Sequence, residues 1–109
     1  MDLAERIEVE LALGREAAAA GNAGRARVCA RRAAGWAIQD WYQRREGGGW
    51  AGDALKQLLR LQGDASVSPP VRQAAERLST KVGLDHRLPF DDDALEDARK
   101  IIGYATNGK

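Results

Sequence analysis

Residues 26–45 read ARVCARRAAGWAIQDWYQRR, and this stretch decides the fold class. Its alanines, together with Ile38 and Trp41, recur at the spacing that gathers side chains on one face of a helix. The pattern predicts an amphipathic helix over about residues 23–45. The chain is rich in alanine and leucine and lacks the β-branched runs of strands, so the sequence predicts an all-α protein.

Four further amphipathic segments flank this helix, separated by stretches that carry glycine or proline. We predict helices over about residues 2–20, 23–45, 51–62, 69–82 and 92–105. Gly21 and Asn22 end the first helix, and Asn22 can cap the second. Because this link is short, the first two helices should form an antiparallel hairpin. The expected architecture is an up-and-down four-helix bundle with an additional short helix, in a single domain covering residues 1–109.

The third helix, over residues 51–62, is the shortest of the five predicted helices. Four of its apolar residues are predicted to face inward: Ala54, Leu55, Leu58 and Leu59. In the loop before it, Trp50 follows three glycines. A large aromatic residue in such a loop is either a lid over the edge of the core or a contact residue for a partner.

Composition and charge exclude several classes of protein. The chain carries 17 basic and 16 acidic residues, a net charge of +1, which argues against nucleic-acid binding by bulk charge. The first 20 residues are charged and amphipathic and do not resemble a signal peptide. Since no segment reaches the apolar length of a membrane span, we expect no membrane association and a cytoplasmic location.

The arginines of the second helix do not gather on one face. On a helical wheel Arg27, Arg31 and Arg45 lie on one flank of the apolar face, and Arg25 and Arg32 lie on the other. A nucleic-acid stripe would collect them on one side. We therefore predict that their stems lie along the core while their heads reach water.

Opposite charges distinguish the first two helices. The first has five acidic and two basic residues, a net charge of −3, whereas the second has six arginines and Asp40, a net charge of +5. These charges should complement each other along the seam of the hairpin, where each exposed pair contributes about 0–1 kcal/mol.

Both of these helices carry a second apolar strip away from the main face. Trp36 lies off the arc of the second helix, beside Cys29 and Arg32, and Val9 and Leu13 lie off the stripe of the first. Two such strips predict another buried contact, and we interpret these five residues as a homodimer face. The alternative is that both strips are partly exposed, or that the bundle wraps widely.

Residues suited to catalysis are few. The single histidine, His86, is either a loop residue bonded to backbone or solvent, or a functional residue. The functional roles are an RNA contact and a general base assisted by Arg87 or Arg77. The single cysteine, Cys29, is either packed in the core or a thiolate stabilised by nearby arginines. One Cys and one His exclude an internal disulfide and a cysteine-cage site, so we predict no metal and no cofactor.

The layout resembles the HEPN family of small helical domains. An amphipathic first helix leads into the alanine-rich stretch GRARVCARRAAGWAIQDWY, and a variable, loop-rich middle follows. The final segment, DDDALEDARKIIGYA, has an acidic start and an A-x-x-I-I-x-x-A ending. The resemblance covers about residues 3–105, and it implies a helical bundle that dimerises. It also implies nucleotide or RNA binding, or pairing with a nucleotidyltransferase.

Many HEPN proteins are toxin ribonucleases of toxin–antitoxin modules, with an arginine that is separated from a histidine by four to six intervening residues. Here the positions at those distances before His86 hold Ser79, Thr80 and Lys81, and Arg77 lies too far back. The ribonuclease site is therefore not carried over. We predict a non-catalytic module that dimerises and binds a partner protein or a nucleotide, the alternative being a ribonuclease that uses His86 with Arg87 or Arg77.

Overall fold

The computed structural model describes residues 1–47, 52–80 and 93–107, and every regular element within these ranges is a helix. This confirms the all-α class. The five helices are α1 (Leu3–Ala19), α2 (Ala23–Glu46), α3 (Ala54–Gln62), α4 (Pro69–Ser79) and α5 (Ala94–Thr106). The largest departures from the predicted bounds, three residues each, are the start of α3 and the end of α4.

Side-chain caps fix where α1, α2, α3 and α5 begin, whereas Ser68 before α4 makes no side-chain cap bond. Asp2 accepts a hydrogen bond from the backbone N–H of Glu5 at 2.8 Å. Asn22 accepts one from the backbone N–H of Arg25 at 3.0 Å, which confirms the predicted cap of α2. Asp53 and Asp93 cap α3 and α5 in the same way. Each cap satisfies a backbone donor that the first turn leaves unpaired and stabilises its helix by about 1 kcal/mol.

Helix α2 is the centre of the fold. It contacts α1, α3, α4 and α5, whereas the described residues of α1 and α3 do not contact each other. Its alanines from Ala26 onward are buried, and large side chains from the other helices pack against them. The core is built around Leu11, Ile38, Trp41, Leu58, Leu78 and Ile101. Small residues on α2 let its neighbours approach closely, so this one helix can serve four partners.

The face that α3 buries differs from the predicted one. Leu55 and Leu59 are 39% and 51% exposed, and the prediction that they face inward is wrong. The buried residues are Gln57, Leu58 and Leu61. Residues 57, 58 and 61 share one side of the helix, and a short helix with leucines around much of its circumference can bury only one side.

Tyr42 links α2 to the loop between α3 and α4. Its hydroxyl donates a hydrogen bond to Oδ2 of Asp64 at 2.6 Å, and the guanidinium of Arg60 lies 3.7 Å from the ring centroid. Burial raises the pKa of Tyr42 above its usual value of 10.0, and the bond to Asp64 acts in the same direction. The folded protein therefore holds this proton more tightly than the unfolded chain does.

The hydrogen bond between Tyr42 and Asp64 makes the stability of the fold depend on pH under alkaline conditions. The contribution of Tyr42 is fully present below the pKa of the unfolded chain, about 10, and is lost as the pH rises towards the folded pKa. We expect the urea-unfolding free energy of the wild type to fall more steeply above that pH than that of Tyr42→Phe. Parallel curves for the two proteins would contradict this role of the hydroxyl.

Candidate functional site

The hairpin of α1 and α2 is held by two polar contacts. The guanidinium carbon of Arg6 lies 4.4 Å from the ring centroid of Trp36, and Nη1 of Arg32 lies 3.1 Å from Oε2 of Glu10. Residues with higher numbers on α1 contact residues with lower numbers on α2. The hairpin is therefore antiparallel, as predicted, and its charges are complementary at the seam.

Trp36 is half-buried within its own chain. One side of the ring packs against the edge of the core and beneath Arg6. The same residue also lines a groove between α2 and α3. Its position off the main apolar face of α2 thus reflects two contacts, one with α1 and one with that groove.

Cys29 is buried, with 3% of its surface exposed. Burial raises the pKa of its thiol, and a hydrogen bond to Glu10 acts in the same direction. The nearby Arg25 and Arg32 oppose this shift without overcoming it. Since a reactive cysteine needs a lowered pKa, Cys29 has the character of a packed structural cysteine.

Val9 and Leu13 form an exposed apolar pair, which we name the α1 strip. They are 47% and 38% exposed and lie one turn apart on α1. On the helical wheel Leu13 lies about 20° from Arg6, so the strip borders the side of α1 that faces α2. Two exposed acidic residues, Glu5 and Glu16, lie one turn before and one turn after it.

A groove of about 420 Å³ lies between α2 and the start of α3, and we name it the α2–α3 groove. Its apolar lining comes from Val28, Gly35, Trp36, Ala54 and Leu55, and its polar lining includes Arg31, Arg32 and Gln57. Sequence reasoning missed Val28 and Leu55 as surface residues of this site. The helical spacing of Val28 could have identified it as a surface residue of the site, because it lies one turn before Arg32 and two turns before Trp36 on the polar side of α2.

Gln57 lines the groove and is almost fully buried, with 1% of its surface exposed. Its Nε2 donates a long hydrogen bond, 3.4 Å, to the carbonyl of Gly52. Its Oε1 accepts no hydrogen bond within the part of the chain that the structure describes. A buried acceptor without a donor costs about 1–3 kcal/mol. This end of the groove therefore contains a buried hydrogen-bond acceptor that lacks a donor among the described residues.

Arg27 and Arg31 on α2 bind the carboxyl end of α4. Nη2 of Arg27 donates to the carbonyls of Arg77 and Thr80, the latter at 2.8 Å, and Nε of Arg31 donates to the carbonyl of Leu78 at 2.6 Å. The last carbonyls of a helix lack partners in the helix itself, and the helix dipole makes this end attractive to cations. The prediction that these arginine heads reach water is therefore wrong for Arg27, which is 6% exposed, whereas Arg31 is only partly buried.

Burial lowers the pKa of both guanidiniums, and for Arg27 the neighbouring charge of Arg31 adds to this effect. The bonds join residues about 50 positions apart in the chain. No local pattern in the sequence could have indicated them.

Arg77 joins α4 to α5. Its Nε and Nη2 donate to Oδ2 and Oδ1 of Asp97 at 3.0 and 2.8 Å, a bidentate ion pair in which Asp97 is 3% exposed. This candidate arginine is thus engaged within the fold. Trp50, His86 and Arg87 lie outside the described residues.

Metal ligands and membrane spans can be assessed over the described ranges. Within residues 1–47, 52–80 and 93–107, no group of three or more His, Cys, Asp or Glu residues is placed to hold a metal ion. None of the helices there has the length and apolar character to cross a bilayer. Comparison of the chain with family models, curated proteins and solved structures finds no match.

Proposed function

We propose that this protein is a non-catalytic helical binding module that associates with a second copy of itself. The observation that carries the proposal is one face with exposed apolar side chains from α1, α2 and α3. Val9, Leu13, Val28 and Leu55 are each 38–48% exposed. Single exposed apolar residues are ordinary, but residues gathered on one face, two of them lining one groove, favour a partner.

Charge favours a second copy as that partner. The exposed acidic residues Glu5 and Glu16 of α1 and the half-exposed Arg32 of α2 supply opposite charges on the two sides of this surface, so it is self-complementary. When two such faces meet about a two-fold axis, the acidic part of each lies against the basic part of the other. Complementary charges of this kind select orientation and partner more than they add affinity.

The chemistry of the described residues supports binding over catalysis. The thiol of Cys29 has a raised pKa, and the guanidinium of Arg77 is bound to Asp97. Neither has the properties that a nucleophile or a ribonuclease arginine requires. The binding module is therefore preferred to the ribonuclease alternative.

The resemblance to HEPN domains extends the proposal in three ways. We propose a nucleotidyltransferase-type protein, or a nucleotide or RNA, as a further partner of the dimer. We also propose the up-and-down four-helix arrangement with α3 as the additional short helix, which the antiparallel hairpin of α1 and α2 supports. The proposed location is the cytoplasm, where a free buried thiol such as Cys29 is common.

Sedimentation velocity over the micromolar range tests self-association. We expect a reversible monomer–dimer equilibrium for the wild type, and monomers for Leu13→Asp, because a charge would be buried at the interface without a counterion. Leu59→Asp is the matched control, since Leu59 is 51% exposed but does not line the groove. A wild type that stays monomeric throughout the range would overturn the proposal.

A further inference from the structure

The α1 strip and the α2–α3 groove both border α2: the strip lies on the flank of α1 that carries Arg6, and Trp36, which lies beneath Arg6, lines the groove. Trp36 and Arg32 contact α1 and also line the groove. Helix α1 lies on one side of α2 and α3 on the other, with no contact between their described residues. The face thus carries the exposed apolar side chains of the α1 strip beside the α2–α3 groove.

The two elements match in size. The strip presents two aliphatic side chains about 6 Å apart along α1. The groove offers about 420 Å³ with Val28 and Leu55 on its two walls. A cavity of about 150 Å³ already holds a molecule as large as benzene, so two aliphatic side chains fit in this space.

The two elements also match in charge. Glu5 and Glu16 extend from the ends of the strip. The groove is lined by two arginines, Arg31 and Arg32, and by one acidic residue, Asp53, so its net charge is positive. Arg32 is bound to Glu10 through Nη1, and half of its side chain is exposed. The acidic residues at the ends of the strip are therefore complementary to the net positive charge of the groove, and they repel the same residues of another strip.

We propose that the α1 strip of each copy inserts into the α2–α3 groove of the other. A two-fold axis lying in the interface along α2 exchanges the two sides of the face and forms both contacts at once. The resulting dimer is closed, so it does not grow into a filament. This arrangement rests on the proposed self-association and adds which surfaces meet.

A mixing experiment tests the arrangement. Leu13→Asp breaks the strip and leaves the groove, whereas Val28→Asp breaks the groove and leaves the strip. Each variant alone loses both contacts of its homodimer, and its dissociation constant should rise at least about tenfold. In an equimolar mixture, the intact strip of the groove variant meets the intact groove of the strip variant.

The mixture should therefore form heterodimers at concentrations where neither variant forms homodimers. Native mass spectrometry with one variant ¹⁵N-labelled identifies them by their intermediate mass. Both altered residues are more than a third exposed, so the variants should fold, which circular dichroism checks. The heterodimer should be weaker than the wild-type dimer, because it keeps one of two contacts.

The outcomes separate the two proposals. If the wild type dimerises but the mixture forms no heterodimer, the strip-in-groove arrangement is wrong and self-association stands. Unchanged dimerisation of Val28→Asp also contradicts the arrangement, because the groove is then not part of the interface. A monomeric wild type removes both proposals.

Discussion

Asp97→Asn should lower the free energy of unfolding by about 3–5 kcal/mol, the range observed when one partner of a buried ion pair is removed. Asp97 is 3% exposed and holds Arg77 through two parallel hydrogen bonds. The neutral amide cannot balance the guanidinium, and the nearby Arg27 also loses an attractive charge. Three arginines, Arg27, Arg31 and Arg77, would then lie close together at the end of α4 without this counterion.

Urea unfolding at neutral pH measures this effect, and Asp40→Asn is its control. Asp40 pairs with Arg44 on the surface of α2, where the two side chains are 38% and 48% exposed. An exposed pair of this kind contributes at most about 1 kcal/mol. If the two asparagine variants lose equal amounts of stability, the ion pair between α4 and α5 is not a principal support of the fold.

Gly35→Ala should destabilise the protein by about 1–3 kcal/mol, the usual cost of overpacking. Gly35 is buried where α2 meets the first residue of α3. A Cβ there would lie 2.9 Å from the Cα of Ala54 and 3.0 Å from its Cβ. These are not flexible side-chain ends, so α3 itself would have to move, and this outweighs the gain of about 1 kcal/mol in helix propensity.

Gly103→Ala is the matched control, with the opposite sign. Gly103 lies inside α5, and a Cβ there would meet no atom of the described residues within 4 Å. The same substitution should therefore stabilise by about 0.5–1 kcal/mol through helix propensity alone. Thermal or urea unfolding of both variants gives the comparison, and stabilisation in both would mean that α2 and α3 are not in close contact at Gly35.

The parts of the fold set by neighbouring residues could be predicted from the sequence. Helix periods, the cap at Asn22 and the antiparallel hairpin depend on short-range patterns, and the structure agrees with them. The face that α3 buries could not be read in this way, because Leu55, Leu58 and Leu59 offer more apolar positions than one short helix can bury. The choice among them depends on how α3 meets α2.

The same division applies to the candidate site. Val9 and Leu13 could be identified because they depart from the stripe of their own helix. The groove could not, since it forms where α3 begins against α2 and depends on the close approach at Gly35. The bonds from Arg27 and Arg31 also join distant parts of the chain, and only the folded packing brings those groups together.

Those arginine bonds have a consequence for how the molecule opens. A helix end usually frays independently, because its last carbonyls can turn to water at little cost. In α4 these carbonyls are held by side chains of the central helix, and Arg27 is buried beneath them. Unwinding the last turn of α4 would leave a buried cation without its acceptors. Local fraying at this end is therefore coupled to the separation of α4 from α2, and we expect the two helices to behave as one cooperative unit in amide hydrogen exchange.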